Sequence, residues 1–185
     1  MVIELTTPRL RLRPLVAGDQ AVITALFADD AVRRHLALGS LSDQGAANFA
    51  ASFIASSHDE WRDGGSGALA VVATENSRRG DPTEPSPAIG YCGLRLLPDR
   101  ISAVELLYAL LPARWGQGLA TEAAGAVLRW GFANLPVREI QAFTRSEHAA
   151  SRRVMEKLGM GYLGETDRYY GETLAAYSLP RPPED

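Results

Sequence analysis

The sequence predicts a mixed α/β chain of the α+β kind, with one mostly antiparallel central sheet of about seven strands flanked by about four helices. Two observations predict it. Some segments alternate apolar and polar residues, while others repeat apolar residues at a spacing of three and four. The segments run strand, two helices, three strands, helix, strand, helix, two strands. A run of neighbouring strands before a β-α-β-α stretch calls for a mixed sheet with helices on both faces.

Leu10-Arg11-Leu12-Arg13 alternates as a half-buried strand does, and Pro14 ends it. Asp19 to Asp30 carries Val22, Ile23, Leu26 and Phe27 at helical spacing, and Asp43 to Trp61 places Ala46, Phe49, Phe53 and Ile54 on one side of a second helix. Gly64-Gly65-Ser66-Gly67 breaks the chain before a strand over Ala68 to Thr74. A loop rich in Pro, Arg, Asp and Ser is expected at about 76–87, as a long connection inside a single domain of 185 residues. Strands follow over Ile89 to Leu97 and Val104 to Leu111, where Pro112 stops the second. Leu119 to Ala133 is the most readable helix, with Leu119, Ala123, Val127 and Trp130 on one stripe. Glu139 to Thr144 reads as a strand and Glu147 to Leu158 as a helix, with Gly159 where a left-handed terminal residue belongs. Tyr162-Leu163 and Leu174 to Leu179 are the last two strands.

Composition bounds the function. A net charge of −3 argues against nucleic acid as a partner, because that binding needs a basic face. No apolar run suits a membrane span, and no basic-then-apolar leader opens the chain. One cysteine, Cys92, excludes an intrachain disulfide and fits a reducing, cytoplasmic compartment. It reads as a small buried hydrophobe. No His, Asp or Glu set has metal-ligand spacing, so no metal is expected.

Trp115-Gly116-Gln117-Gly118-Leu119-Ala120-Thr121 lies between a strand and a helix. A helix start exposes unpaired N–H groups and carries roughly half a positive charge, so it attracts an anion. Glycines let a phosphate approach the backbone. A P-loop lysine is absent, and the spacing is not that of a dinucleotide turn. On the turn alone, an anion site and a plain connection are equally good readings.

The surroundings separate them. Glu105-Leu106-Leu107-Tyr108, Pro112 and the segment from Trp115 to Ala123 resemble the acetyl-CoA motif of the GNAT superfamily. The branch they look most like contains the ribosomal-protein N-terminal (alanine/serine) acetyltransferases. Ser151 to Met160 resembles that branch's second motif, and Thr7-Pro8-Arg9-Leu10-Arg11-Leu12-Arg13 resembles its opening strand, T-x-R-L-x-L-R. The matches span nearly the whole chain in order.

The resemblance implies that acetyl-CoA is the co-substrate. Backbone N–H groups of Gly116, Gln117, Gly118, Leu119, Ala120 and Thr121 would hold its pyrophosphate, and Trp115 replaces the Gln or Arg that usually opens the motif. Backbone groups of Leu110 and Leu111 would pair with the pantetheine arm as a short added strand. His148 stands where the family has a pantetheine-contacting Asn. Glu105 would be the general base, against the alternative of a surface carboxylate paired with Arg95 or Arg100. Ser151 would be the acid, against a simple helix cap. Met155 occupies the position of the family's usual tyrosine and has no proton to give. His35 and His58 read as ordinary surface residues.

Tyr169, Tyr170 and Tyr177, with Glu165, Asp167 and Glu172, surround the last hairpin, the region that borders the acceptor pocket in this branch. A solvated charged turn is the favoured reading of those carboxylates. The expected reaction is transfer of acetyl to a primary amine, on a protein or peptide N-terminus or a small molecule, by direct attack in a ternary complex. The alternative is an inactive acyl-CoA-binding sensor. A homodimer stays open.

Overall fold

The computed structural model describes residues 3–36, 41–74, 86–97 and 103–183. The polar loop expected at about 76–87 lies almost wholly outside them, as does Arg100. The strands are β1 (Leu5–Thr6), β2 (Leu10–Pro14), β3 (Gly67–Ala73), β4 (Gly90–Leu96), β5 (Ala103–Leu110), β6 (Glu139–Thr144), β7 (Gly161–Thr166) and β8 (Leu174–Pro180). The helices are α1 (Gln20–Ala28), α2 (Asp30–Arg33), α3 (Asp43–Gly64), α4 (Leu119–Asn134) and α5 (Ala149–Lys157). All eight strands belong to one sheet in the order β1-β2-β3-β4-β5-β6-β8-β7. Every neighbouring pair is antiparallel except β5 and β6.

Local chemistry explains where the elements differ from expectation. The helix expected over Asp19–Asp30 breaks at Asp29, whose backbone is extended and whose carboxylate accepts the N–H groups of Ala31 and Val32. It therefore caps a separate short helix. Ser42 caps α3 by accepting from Gly45, and Gly65 ends it in the left-handed conformation at φ 64°. Gly159, at φ 79°, closes α5 in the same way. β1 is two residues long, too short to show a period. β7 is longer than its two readable residues because a register shift between Tyr162 and Gly164 interrupts the alternation.

The sheet carries a core on each face. On one, Leu69, Val71, Cys92, Leu94, Val104, Leu106 and Leu110 pack against Leu119, Ala123 and Val127 of α4 and Met155 of α5. On the other, Ala68, Ala70 and Tyr91 pack against Ile23, Leu26 and Phe27 of α1 and Ala46, Ala50 and Ile54 of α3, with Leu107, Ala109 and Leu111 alongside. Cys92 is 0% exposed, and burial pushes its thiol far above the ordinary range.

One irregularity positions the site. β4 and β5 pair without a shift from Gly90–Leu110 to Leu96–Val104. β5 and β6 pair only at Ala103–Glu139, Val104–Ile140 and Glu105–Gln141. Beyond that point β6 stays with β8 and β5 stays with β4, so the two parallel strands separate into a wedge. The far half of β5 has a free edge in the middle of the sheet.

Candidate active site

The glycine turn stands at the wide end of this wedge. Gly116 and Gly118 have φ of 73° and 75°, in the left-handed region that favours glycine. Gly118 precedes the helical Leu119, an alternation that turns successive N–H groups toward one concavity. No side chain caps α4, and residues 115–118 are exposed. The first N–H groups of α4 are therefore available to an anion. A Cβ at Gly116 would meet nothing within 4 Å, so backbone conformation, not space, requires glycine there.

Along the free edge the two leucines differ. Leu111 donates its N–H to Ile89 O at 2.9 Å, and its carbonyl accepts from Arg114 N at 2.8 Å. Both of its backbone groups are engaged, and its N–H points at β4. Alternation along the strand turns the Leu110 groups the other way, into the wedge. The Leu110 carbonyl accepts the Trp115 indole N–H at 2.7 Å. The open edge thus includes Leu110 and excludes Leu111, and the Trp115 ring braces the turn against β5.

Glu105 is the last β5 residue paired to β6, so it sits at the apex of the wedge. With no bulge between β4 and β5, it lies on the α1–α3 face with Leu107 and Ala109. It is 5% exposed. Its Oε2 accepts from Arg95 Nη2 at 2.8 Å and from the Tyr170 hydroxyl. The Arg95 pairing weighed from sequence is present, joined by a tyrosine. Burial opposes the charge of Arg95, but Glu105, Tyr170 and Glu60 outweigh it and hold the guanidinium firmly protonated. Burial, followed by the Glu105 charge, pushes the Tyr170 phenol up, so it stays a neutral donor. Among the described residues Tyr170 is the single non-glycine with positive φ, at 67°. Phe143 against Tyr169, at 4.9 Å between ring centroids, and Arg145 to Glu172, at 2.9 Å, pin the turn on either side of it.

Ser151 lies in the first turn of α5 but caps nothing. Its Oγ is 2.8 Å from the hydroxyl of Tyr108, which also donates to the Ser151 carbonyl at 3.2 Å. Tyr108 comes from the free stretch of β5, so this pair crosses the wedge on the α4–α5 face. Burial raises the Tyr108 phenol strongly, and Ser151 only partly offsets it. Met155 is buried in the core below. The structure therefore sets Glu105 and Ser151 on opposite faces of the sheet, one on each side of the wedge.

His148 stacks flat on His35, with centroids 3.6 Å apart and planes 4° from parallel, and its Nδ1 lies 3.3 Å from Thr144 Oγ1. Burial first, then the neighbouring His35, lowers its pKa to about 4. It is a neutral ring at the start of α5. His35 is no ordinary surface residue. His58 contacts Leu15 O through Nε2 at 2.6 Å. Sequence reasoning also passed over Arg95 and Tyr170 as a pair, since their contact joins β4 to the β7–β8 turn and leaves no local spacing. Glu165 accepts from Ser146, and Glu172 is paired with Arg145, so these carboxylates serve local contacts.

Comparison with known proteins identifies the fold and the family. The model of the family "Acetyltransferase (GNAT) domain" covers residues 9–161. A relative named "Uncharacterized N-acetyltransferase YoaA", from Bacillus subtilis (strain 168), is 27% identical over 97% of this chain and 98% of its own. Mycobacterium smegmatis RimJ, solved in complex with CoA-disulfide, superposes with a TM-score of 0.75 at 19% identity, covering 97% of this chain and 86% of that one. A ribosomal-protein-S5-alanine acetyltransferase from Vibrio fischeri superposes with a TM-score of 0.74 at 16% identity, covering 97% of both chains. The wedge and its glycine turn lie inside the matched span, and the chain belongs to the GNAT family of acetyltransferases.

Proposed function

We propose that this enzyme moves the acetyl group of acetyl-CoA to a primary amine by direct attack in a ternary complex. The observation that carries the reading is the wedge. It opens at Glu105, leaves the Leu110 N–H without a strand partner among the described residues, and ends at the uncapped, left-handed glycine turn. A thioester arm with two amides fits a free strand edge, and a pyrophosphate fits the turn beyond it. RimJ, a structural neighbour, was solved in complex with CoA-disulfide, which supports a CoA thioester as the donor.

In this reading the amine attacks in its neutral form, and Glu105 takes the proton its nitrogen then loses. The amine nitrogen bonds to the thioester carbon. The carbon–sulfur bond then breaks, and the thiolate receives a proton from Ser151, whose hydroxyl Tyr108 orients. Solvent restores the proton to Ser151, while Glu105 returns its own proton to water as the product leaves. The base approaches from the α1–α3 face and the acid from the α4–α5 face, which keeps the entering and leaving groups apart. Tyr170 and Arg95 orient the Glu105 carboxylate.

An α-amine, with a pKa of about 7.7–8.0, is partly neutral near pH 7, whereas a lysine side chain near about 10.4 is not. A carboxylate base therefore suits a protein or peptide N-terminus. The likeness to a ribosomal-protein acetyltransferase supports the same acceptor class. The test is thiol release from acetyl-CoA against a panel of peptides and small amines. Turnover on peptide N-termini supports the proposal. Tight CoA binding without turnover on any amine replaces it with the sensor reading.

A further inference from the structure

Arg9 immediately precedes β2, far in sequence from the glycine turn, yet its guanidinium lies against that turn. Nη1 donates to Gln117 O at 2.9 Å, and a Cβ built on Gly118 would lie 3.6 Å from Nη2. Glu122, in the first turn of α4, holds the other side of the group. It accepts from Arg9 Nε at 2.7 Å, from Arg9 N at 2.9 Å and from Thr7 Oγ1 at 2.6 Å, and Arg9 Nη2 lies 2.6 Å from its Oε2. Burial opposes the charge of Glu122, but the bonds from Thr7 and Arg9 outweigh it and hold the carboxyl below its usual range.

Two consequences follow for the turn. In a planar trans peptide the carbonyl and the next N–H point in opposite directions. By gripping the Gln117 carbonyl, Arg9 aims the Gly118 N–H away from itself, toward the concave side. A carboxylate in the first helical turn would also repel an incoming anion, and Arg9 neutralises it while Thr7 and Arg9 turn its lone pairs outward. We propose that Arg9, anchored by Glu122, is a positioning residue for the acyl-donor site, one that sets the peptide orientation and the local charge on which diphosphate binding depends. The inference rests on the reading of the turn as the CoA site.

The test compares Kd for CoA with Kd for pantetheine, which has the thiol arm and no phosphate, by NMR titration. In Arg9→Ala the preference for CoA over pantetheine falls about tenfold. Arg9→Lys, which can reach the carbonyl or the carboxylate but not grip both, recovers part of it. Glu122→Gln also weakens CoA, because Arg9 loses its anchor. An unchanged preference in Arg9→Ala overturns the inference, and so does tighter CoA binding in Glu122→Gln, which would make Arg9 a direct counter-charge. If the wild-type chain shows no preference for CoA over pantetheine, the assignment of the turn itself falls, a failure distinct from the other two. Retained pantetheine binding shows that each variant is folded.

Discussion

The two sides of the wedge are built differently. The proposed donor side rests on backbone: left-handed glycines, an uncapped helix start and a free strand edge, strapped by Arg9 just ahead of β2. The proposed acceptor side rests on side chains from distant elements, with Glu105 from β5, Arg95 from β4 and Tyr170 from the β7–β8 turn meeting at one carboxylate oxygen. Backbone cradles tolerate change in the residues around them and keep one ligand. A side-chain cluster can be rebuilt by exchanging a few residues. The difference teaches that one sheet can carry a cradle built from backbone beside a cluster built from side chains.

The largest effect expected falls on the acceptor side. Glu105→Gln should lower kcat by about 10²–10⁴-fold while Kd for CoA changes little, read by steady-state kinetics beside calorimetry. Gly118→Val should do the reverse. A β-branched residue in the left-handed region costs about 1–2 kcal/mol, and its side chain would crowd the Arg9 guanidinium, 3.6 Å from the added Cβ, so CoA binding should weaken about tenfold. If both variants change kcat and CoA affinity together, the two sides are not separable and the contrast breaks. Ser151→Ala should lower kcat by about tenfold, less than Glu105→Gln, because a thiol with an ordinary pKa near 8.5 leaves with modest help. An unchanged kcat removes Ser151 from the proton path.

The smallest effect sharpens the boundary between the sides. His148 is held neutral in the folded chain down to about pH 4, whereas an unfolded histidine binds its proton near pH 6.5. Between those values the unfolded state carries the extra proton, so stability should fall as pH drops through the window and stay flat above it. His35 is lowered too, by burial first, and acts in the same sense. Arg34 and Arg145 add to the shift of His35, and Glu147 opposes it in both rings. His148→Gln should flatten the urea midpoint between pH 6.5 and 4 relative to the wild type. An equal slope in both proteins places the sensitivity elsewhere.

Much of the glycine turn's geometry was legible in the sequence because its chemistry is local. Gly116 and Gly118, the stop at Pro112 and the apolar stripe of α4 all lie within one short segment. The exclusion of Leu111 was not legible, since it depends on which edge of β5 its N–H faces, and the two edges look alike in sequence. The Arg95–Tyr170 contact, the His35–His148 stack and the Arg9 strap each join elements whose spacing carries no period. Asp29 shows the same limit on a small scale. Its neighbours continue a helical pattern, and its carboxylate ends one helix by starting another.

Cys92 has a practical consequence for all of these measurements. It is the chain's one sulfhydryl, sealed in the core and held protonated. A thiol-trapping dye added to the folded enzyme meets no resident nucleophile, so colour reports released CoA alone. Oxidised CoA likewise finds no accessible partner for a mixed disulfide, and the free enzyme can be stored and titrated without reductant.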